Sequence, residues 1–357
     1  MLLYTQARGE PLKGGFKMLK ANESTLFKDD EYLREIQAQK DELYKIKKQV
    51  QDQRREYNKL LTADARADHL TEKLIDAAND LKNSKPLRFM NNMFIGNDNN
   101  DAVLCFSDLH YGLVTDNIWN KYDTSICRER VEKLVNQATL YMNMNNVKRL
   151  HVLLLGDLAN GAIHSTSRIS AEEDTCDQLM HVSEIVAEAV NELSNYTNET
   201  HIYSTYGNHL RTVQNKNDSI HSDNMEKIVT WWLRQRLKDN SRIIVHESEY
   251  YEFIFLNVCG YNIVATHGDL DYVKNSGRLL NTMFNKAYGD SIDYVLLADK
   301  HHVESFDELG IESIIVGSLC GTDEYANNKR LYSDPRQTLM MFNKEDGKYC
   351  QYNIKLA

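Results

Sequence analysis

The chain shows two different patterns of hydrophobic and polar positions, one before and one after about residue 100. Residues 29–81 are polar, charged and free of Gly and Pro, and apolar residues recur there every seven positions at Ile36, Leu43, Val50 and Tyr57. This spacing places the apolar side chains along one seam of a helix. Two glutamines within the seam weaken it, so the pattern predicts a helical hairpin or a short coiled coil. A solvated helix lying on the rest of the protein would show the same spacing.

After residue 101 the pattern changes to short apolar runs that alternate with amphipathic stretches, which is typical of a layered α/β fold. The apolar runs predict strands at residues 103–106, 150–155, 201–206, 251–256, 261–266, 294–298, 311–316 and 338–342. The amphipathic stretches predict helices at residues 125–145, 171–195, 218–238 and 273–288. Turn-forming residues at 97–101 precede the first strand. The sequence therefore predicts an N-terminal helical segment at residues 1–96 and a larger domain at residues 97–357.

Composition and charge narrow the functions that this chain can have. It is composed as a folded, water-soluble protein, with 42% hydrophobic and 26% charged residues. The formal net charge of −10 argues against broad electrostatic binding to nucleic acid, although a local basic groove stays open. No apolar run approaches the roughly 20 residues that span a bilayer, and the first residues lack the apolar core of a secretory signal. We expect a cytoplasmic protein without membrane contact, whose six scattered cysteines are reduced core residues.

Polar residues that bind metal ions follow almost every predicted strand. Asp108 and His110 follow the first strand, and Asp157 follows the second. Asn208 follows the third strand, and His267 follows the run at residues 261–266. Open α/β sheets place their sites at the carboxyl ends of strands, which brings such residues together. Each alone is weak evidence, because Asp often caps a helix and a lone His is more often structural. Crowded carboxylates repel unless cations neutralise them, so the set predicts a metal site.

The order of these residues resembles the motif order of the calcineurin-like metallophosphoesterase superfamily, which runs DxH, GD, GNH, a His before Gly, and GHxH. The resemblance covers the chain from about residue 102 to its end. Within the superfamily the blocks SDLHYGLVTDNIWNKY, LLLGDLANGAIH, YGNHLRT, ATHGD and GSLCGTDEYA are most similar to bacteriophage and prophage enzymes, and more distantly to repair nucleases that process DNA ends. The resemblance implies an αββα sandwich, with two packed mixed sheets flanked by helices, and hydrolysis of phosphate esters with two divalent metal ions.

The resemblance also implies a role for each matching residue. Asp108 and His110 match the ligands of one metal ion. Asp157 matches the carboxylate that bridges both ions, and it is therefore both a ligand and a catalytic residue. Asn208 and His267 match the ligands of the other ion.

The expected substrate-facing groups are the His of the GNH motif and residues that follow the GNH and GD motifs. His209 matches the uncoordinated imidazole that protonates the leaving group or steadies the transition state. Leu210 stands where the family usually has an acid or a small residue, and Arg211 is available to bind a phosphate oxygen. His164 follows Asp157 closely enough to line the site, with a structural role equally open.

The final motif departs from the family, because the sequence reads Asp299-Lys300-His301-His302 where GHxH is expected. One alignment keeps Asp299 and His301 as a metal-binding pair. The other puts the ammonium of Lys300 where a ligand is required, so we choose the first and assign His302 to the substrate side. An Asp ligand is harder than His and favours Mn²⁺, with Mg²⁺, Zn²⁺ and iron as alternatives. The same change is compatible with weak metal binding or reduced activity.

Three functions stay open from the sequence. We favour a phage-type nuclease or phosphodiesterase that acts on DNA or RNA in the host cytoplasm and forms a homodimer through its N-terminal helical segment. The second is a phosphatase or phosphodiesterase for a small nucleotide or a phosphoprotein. The third is a catalytically weakened interaction module, which the altered final motif and the helical segment would suit.

Overall fold

The computed structural model describes residues 23–83, 87, 100–163, 168–247 and 251–357. The first element is one helix, α1 (Glu23–Asn83), of 61 residues. The predicted hairpin is therefore wrong for this segment, because no Gly or Pro interrupts the helical sequence to form a turn. A coiled coil needs a second helix, and that alternative stays a prediction.

The larger of the two sheets has six strands, which we number in chain order through the whole protein. They are β1 (Asn100–Phe106), β4 (Val147–Leu154), β5 (Glu199–Ser204), β6 (Ile243–Val245), β12 (Arg336–Asn343) and β13 (Gly347–Lys355). Their spatial order is β13-β12-β1-β4-β5-β6. The four strands β1, β4, β5 and β6 are parallel to one another. The strand β12 is antiparallel to β1, and β13 is antiparallel to β12.

The second sheet has five strands. They are β7 (Ile254–Val258), β8 (Tyr261–Thr266), β9 (Tyr294–Leu297), β10 (Glu304–Glu308) and β11 (Ile311–Ile315), in the spatial order β10-β11-β9-β8-β7. The central three, β8, β9 and β11, run parallel, and an antiparallel strand lies at each edge. A short hairpin of β2 (Thr115–Asp116) and β3 (Lys121–Tyr122) stands apart from both sheets.

Helices cover the outer faces of the two sheets. They are α2 (Thr124–Met144), α3 (Thr175–Leu193), α4 (Lys227–Arg236) and α5 (Ser276–Tyr288). A short helix, α6 (Glu324–Asn328), follows β11 in the chain. Two single-turn helices lie at Ser194–Tyr196 and Lys216–Asp218. Asp123 and Asp174 cap α2 and α3 by accepting hydrogen bonds from backbone N–H groups of the first turn.

Alternate residues of β1 explain how the layers are held together. Val103 and Cys105 point into a core shared with the second sheet, whereas Leu104 and Phe106 point into a core shared with α2 and α3. Such a strand is buried on both faces, which is why it reads as a continuous apolar run. A third core joins the second sheet to α5 through residues such as Phe284. This order of helix, sheet, sheet and helix confirms the predicted αββα sandwich.

The chain divides into two compact units, Met1–Glu72 and Lys73–Ala357. In the second unit Lys73 forms salt bridges of 3.3 Å and 3.0 Å with Asp174 and Asp177. Both ion pairs lie within the second unit, and the sequence pattern alone did not indicate them. Among the described residues, no helix combines the length and the apolar character needed to cross a bilayer.

Candidate metal centre

The candidate site lies where the parallel strands of both sheets end. In the first sheet the last paired residues are Phe106, Leu154 and Ser204, and in the second they are Thr266 and Leu297. Because parallel strands that end level direct the following loops to the same edge, the residues next in sequence meet there. The predicted metal ligands all follow these strands within a few positions.

The backbone at this edge adopts an uncommon conformation. Ten described residues other than Gly have a positive φ angle, and half of them are predicted metal ligands. These five are Asp108, His110, Asp157, Asp299 and His301. A left-handed conformation costs a residue with a side chain of order 1–3 kcal/mol, and such residues cluster at functional sites. The strain concentrates on the residues that the sequence assigned to metal binding.

One group of side chains gathers around His301. Its Nε2 is 3.4 Å from Asp108 Oδ1 and 3.4 Å from His110 Nε2. The carboxylate of Asp157 lies next to this group, with Oδ2 4.0 Å from His110 Nε2. The structure thus brings together residues that follow β1, β4 and β9, although they are far apart in sequence.

A second group gathers on the other side of Asp157. His267 Nε2 is 3.2 Å from Asp157 Oδ2 and 3.7 Å from Asp299 Oδ1. The side-chain amide of Asn208 donates to the same Asp299 oxygen at 3.3 Å. Asp157 therefore lies between the two groups, in the position of a shared ligand.

Buried polar atoms without hydrogen-bond partners show that the site suits cations. Both carboxylate oxygens of Asp108 lack a hydrogen bond, and the residue is fully buried. His267 Nδ1 lies 2.8 Å from the Leu155 carbonyl, so this nitrogen carries a proton, and the neutral ring would offer the lone pair of Nε2 to a cation. Its distance from Asp157 is short, but the two atoms are not aligned as a hydrogen bond. Burying an uncompensated carboxylate costs several kcal/mol, which a bound divalent cation would offset.

The electrostatics of the metal-free site follow from this crowding. Burial alone would raise the pKa of Asp157, but His267 and His209 outweigh burial and hold it well below its usual range. Burial likewise opposes protonation of His267, yet Asp157 raises the pKa of that imidazole well above its ordinary value. Asp108 overcomes burial to raise the pKa of His301 to about 9. The metal-free pocket therefore balances its carboxylates with imidazolium groups, which a bound cation would replace.

His209 borders both groups, and with His110 and Asp157 it forms a further set whose potential ligand atoms lie within 4.8 Å of one another. Its backbone N–H donates to Asp157 Oδ1 at 2.9 Å, and its Nδ1 lies 2.8 Å from the Asn160 carbonyl. Nδ1 must therefore carry a proton, which leaves Nε2 facing the pocket, 4.0 Å from Asp157 Oδ2. The side chain is 20% exposed, so a substrate can reach it.

Glu226 holds the loops that carry Asp157 and Asn208, and no sequence motif pointed to it. Its buried carboxylate accepts hydrogen bonds from the backbone N–H groups of Leu158 and Gly207, at 2.8 Å and 2.6 Å. Burial and the charge of Asp157 raise the pKa of Glu226 to about 7. A Cβ atom on Gly207 would lie 2.1 Å from Asp157 Oδ1, so only Gly allows the two loops to approach this closely.

Cys320 is a second residue that the sequence analysis did not single out. It is fully buried, and its Sγ and the ring nitrogens of His110 and His301 lie within 4.8 Å of one another. It follows β11, the remaining parallel strand of the second sheet. The signal was present, because GSLC comes directly after the apolar run at residues 311–316.

Arg211 and His302, two of the predicted substrate-facing residues, are placed differently from the metal-binding set. The guanidinium group of Arg211 donates to the carbonyls of Asn208, Val213 and Gln214, so it holds its own loop instead of forming an open phosphate clamp. His302 is half exposed and turns toward the Lys300 carbonyl, away from both groups. His164 lies outside the described residues.

Comparison with known proteins finds one curated relative of this chain. The SPbeta prophage-derived uncharacterized protein YonJ of Bacillus subtilis (strain 168) is 26% identical over 338 residues, which cover 91% of this chain and 81% of the relative. No protein-family profile matches the chain.

Solved structures with a similar fold share little sequence with this chain. A novel archaeal phosphodiesterase is 15% identical, with a TM-score of 0.35, and the alignment covers 71% of this chain and 99% of the other. The zinc complex of Vps29 from Entamoeba histolytica is 11% identical, with a TM-score of 0.31 and coverages of 72% and 99%. These TM-scores are low, so the function has to be inferred from the side chains of the site.

Proposed function

We propose that this protein is a metal-dependent phosphoesterase of the calcineurin-like type that hydrolyses phosphodiester bonds with two divalent cations. The observation that carries the proposal is the fully buried Asp108, whose two unpartnered carboxylate oxygens lie among imidazoles supplied by both sheets. A cation explains both the missing partners and the strained backbone. The motifs that resemble the superfamily in order also converge in space, which supports the same function.

Two cation positions share Asp157 as a common ligand. We assign the first position to Asp108, His110 and His301. We assign the second to Asn208, His267 and Asp299. When bound, a pair of divalent cations supplies Lewis acidity, which lowers the pKa of water and offsets negative charge on phosphoryl oxygens. The three oxygen ligands of the second position favour Mn²⁺ or Mg²⁺.

His209 is the residue that moves a proton. Its Nδ1–H is committed to the Asn160 carbonyl, so only Nε2 is directed to the pocket. A substrate with its phosphate against Asp157 would have its leaving-group oxygen within reach of this nitrogen. When the ring is protonated on both nitrogens, it would donate the Nε2 proton to the departing alkoxide.

The substrate proposed is a nucleic acid with single-stranded character. Trp119 and Tyr332 form an exposed aromatic pair with ring centroids 5.3 Å apart. Trp119 precedes Asn120, whose side chain donates to the Cys320 carbonyl at 2.7 Å, so Trp119 lies on a loop anchored beside the metal groups. Exposed aromatic rings stack on unpaired bases. The prophage origin of the 26% identical relative is consistent with a phage-type enzyme that acts in the host cytoplasm.

The test is hydrolysis by purified protein that has first been depleted of metal. Mn²⁺, Mg²⁺ and Zn²⁺ are added separately, with single-stranded and double-stranded oligonucleotides and bis(p-nitrophenyl) phosphate as substrates. We expect Mn²⁺-dependent cleavage of the small diester and of single strands, abolished by chelator. Turnover of small esters alone would indicate a phosphatase or nucleotide phosphodiesterase instead. A protein that binds no cation and cleaves no ester would be a noncatalytic module and would refute the proposal.

A further inference from the structure

Cys320 lies against the first cation position. Its Sγ is within 4.8 Å of ring nitrogens of both His110 and His301, and the three residues form one of three groups with metal-binding geometry among the described residues. The backbone N–H of Cys320 donates to the Asp108 carbonyl at 3.2 Å. The sulfur and the two imidazoles thus lie close together, and the same His301 nitrogen is 3.4 Å from Asp108 Oδ1.

The position of the sulfur is fixed by buried hydrogen bonds. The Cys320 carbonyl accepts from Asn120 Nδ2 at 2.7 Å and from Arg130 Nη1 at 2.8 Å. Ser318 Oγ donates to the Asp108 carbonyl at 3.2 Å, which joins the loop after β11 to the loop after β1. The guanidinium group of Arg130 is itself buried, so the hydrogen bonds that hold this loop are shielded from solvent.

Burial alone does not explain this arrangement. Cys105 and Cys127 are also fully buried, and each lies in an apolar core. Among the described residues, Cys320 is the one cysteine that belongs to a group of potential metal ligands. A cysteine that only filled space would not need two imidazole nitrogens beside its sulfur.

We infer that Cys320 is a sulfur ligand of the cation at the Asp108, His110 and His301 position, so that the two cation positions differ in chemistry. This inference rests on the proposed function and deepens it. The first position offers sulfur and nitrogen and selects Zn²⁺, Co²⁺ or Fe²⁺. The second offers mainly oxygen and selects Mn²⁺ or Mg²⁺. The centre is therefore suited to two different metals.

The experiment titrates the metal-depleted, full-length protein with Co²⁺ and records its absorption spectrum. A cobalt–thiolate bond gives a sulfur-to-metal charge-transfer band in the near ultraviolet, which oxygen and nitrogen ligands do not give. We expect the band in the wild-type protein and in Cys176→Ser, whose cysteine lies outside the group. Cys320→Ser should lose the band, and its affinity for the first equivalent of Zn²⁺ should fall by about tenfold or more. With a mixture of Zn²⁺ and Mn²⁺, the wild-type protein should retain one of each.

The outcomes separate this inference from the proposed function. Binding of two cobalt ions without the band, or a band that persists in Cys320→Ser and Cys320→Ala, would overturn the sulfur ligand and leave the phosphoesterase standing. A wild-type protein that binds no cobalt would overturn both. X-ray absorption of the cobalt-loaded wild-type protein needs no variant. It should show a sulfur neighbour at about 2.3 Å, as in zinc–thiolate sites, and its absence would refute the inference.

Discussion

His301 and His302 are neighbours in the chain but lie in different surroundings. The side chain of His301 is 20% exposed and contacts Asp108 and His110, whereas that of His302 is 49% exposed and faces Glu304. The backbone of His301 has a positive φ angle, which turns its ring toward the pocket. This geometry favours Asp299 and His301 as the metal-binding pair of the final motif.

Substituting each of these two histidines in turn tests that alignment. His301→Ala removes an imidazole from the first cation position, so we expect metal affinity to fall by about tenfold or more. His302→Ala serves as the matched control and should bind metal as the wild-type protein does. Isothermal titration with Co²⁺ measures both. Loss of metal in His302→Ala with normal binding in His301→Ala would reverse the alignment.

His209→Ala tests the assignment of the proton donor. Because other residues make up the two assigned cation positions and Nδ1 of His209 is held by the Asn160 carbonyl, we expect turnover to fall by roughly 10²–10⁴-fold while bound metal is retained. Turnover of a diester and metal content by mass spectrometry are measured on the same sample. A variant that loses its metal would show that His209 is a ligand instead.

At the scale of elements, the parallel strands carry both the fold and the site. Strands buried on two faces have a continuous apolar sequence, so β1, β4, β8 and β9 were predicted within a few residues of their bounds. Their carboxyl ends gave the candidate ligands. This part of the structure is predictable because a strand buried on both faces has a continuous apolar sequence, and the polar residues directly after it mark its carboxyl end.

Of the four strands at the sheet edges, β6, β10 and β13 were not predicted, whereas β7 overlaps the strand predicted at residues 251–256. β10 has the polar sequence ESFDE, and β13 alternates between exposed and half-buried residues, so neither gives an apolar run. The helix predicted at residues 218–238 begins only at Lys227. Asn224 and Glu226 use their side chains to bond the backbone of Gly207, which fixes the preceding residues in a loop. Such long-range contacts leave no periodic trace in the sequence.

A stack of histidines crosses three neighbouring strands of the first sheet, outside the site. His151 in β4 stacks on His201 in β5, and His201 Nδ1 is 2.9 Å from Nε2 of His246, which follows β6. Burial and the nearby His151 lower the pKa of both His201 and His246, while Glu199 beside His201 opposes the shift without cancelling it. The folded protein therefore keeps these rings neutral.

This stack predicts how stability depends on pH. Because the folded pKa values of His201 and His246 lie below the unfolded ones, the unfolded chain binds more protons at these two residues, and their contribution to stability falls as the pH drops through about 6.5. Chemical denaturation of the metal-depleted protein measures the free energy of unfolding between about pH 8 and about pH 5. In His246→Gln the loss should be smaller. An unchanged slope would exclude the stack as its source.

At the scale of the whole molecule, α1 presents apolar residues that nothing in the described chain covers. Leu43, Val50 and Tyr57 keep more than half of their surface exposed and recur every seven residues along the helix. A second copy of the helix would bury such a seam. We therefore propose that the protein forms a homodimer through α1, as its sequence suggested.

Charge placed in the seam tests this proposal. Leu43→Glu combined with Val50→Glu should convert the dimer to a monomer, because the carboxylates would have to be buried in the interface. The double variant Gln37→Glu, Gln51→Glu adds the same charge outside the seam and should remain dimeric. Sedimentation equilibrium measures the mass. A wild-type protein that is monomeric at all concentrations would contradict the proposal.

The central claim is that side chains from both sheets hold two cations around Asp157. Anomalous scattering from crystals of the full-length protein grown with Co²⁺ tests it most directly. We predict two peaks beside the Asp157 carboxylate, one next to Asp108 and His301 and the other next to Asn208 and His267. Crystals in which cobalt is absent from this pocket, or bound only elsewhere on the protein, would contradict the account.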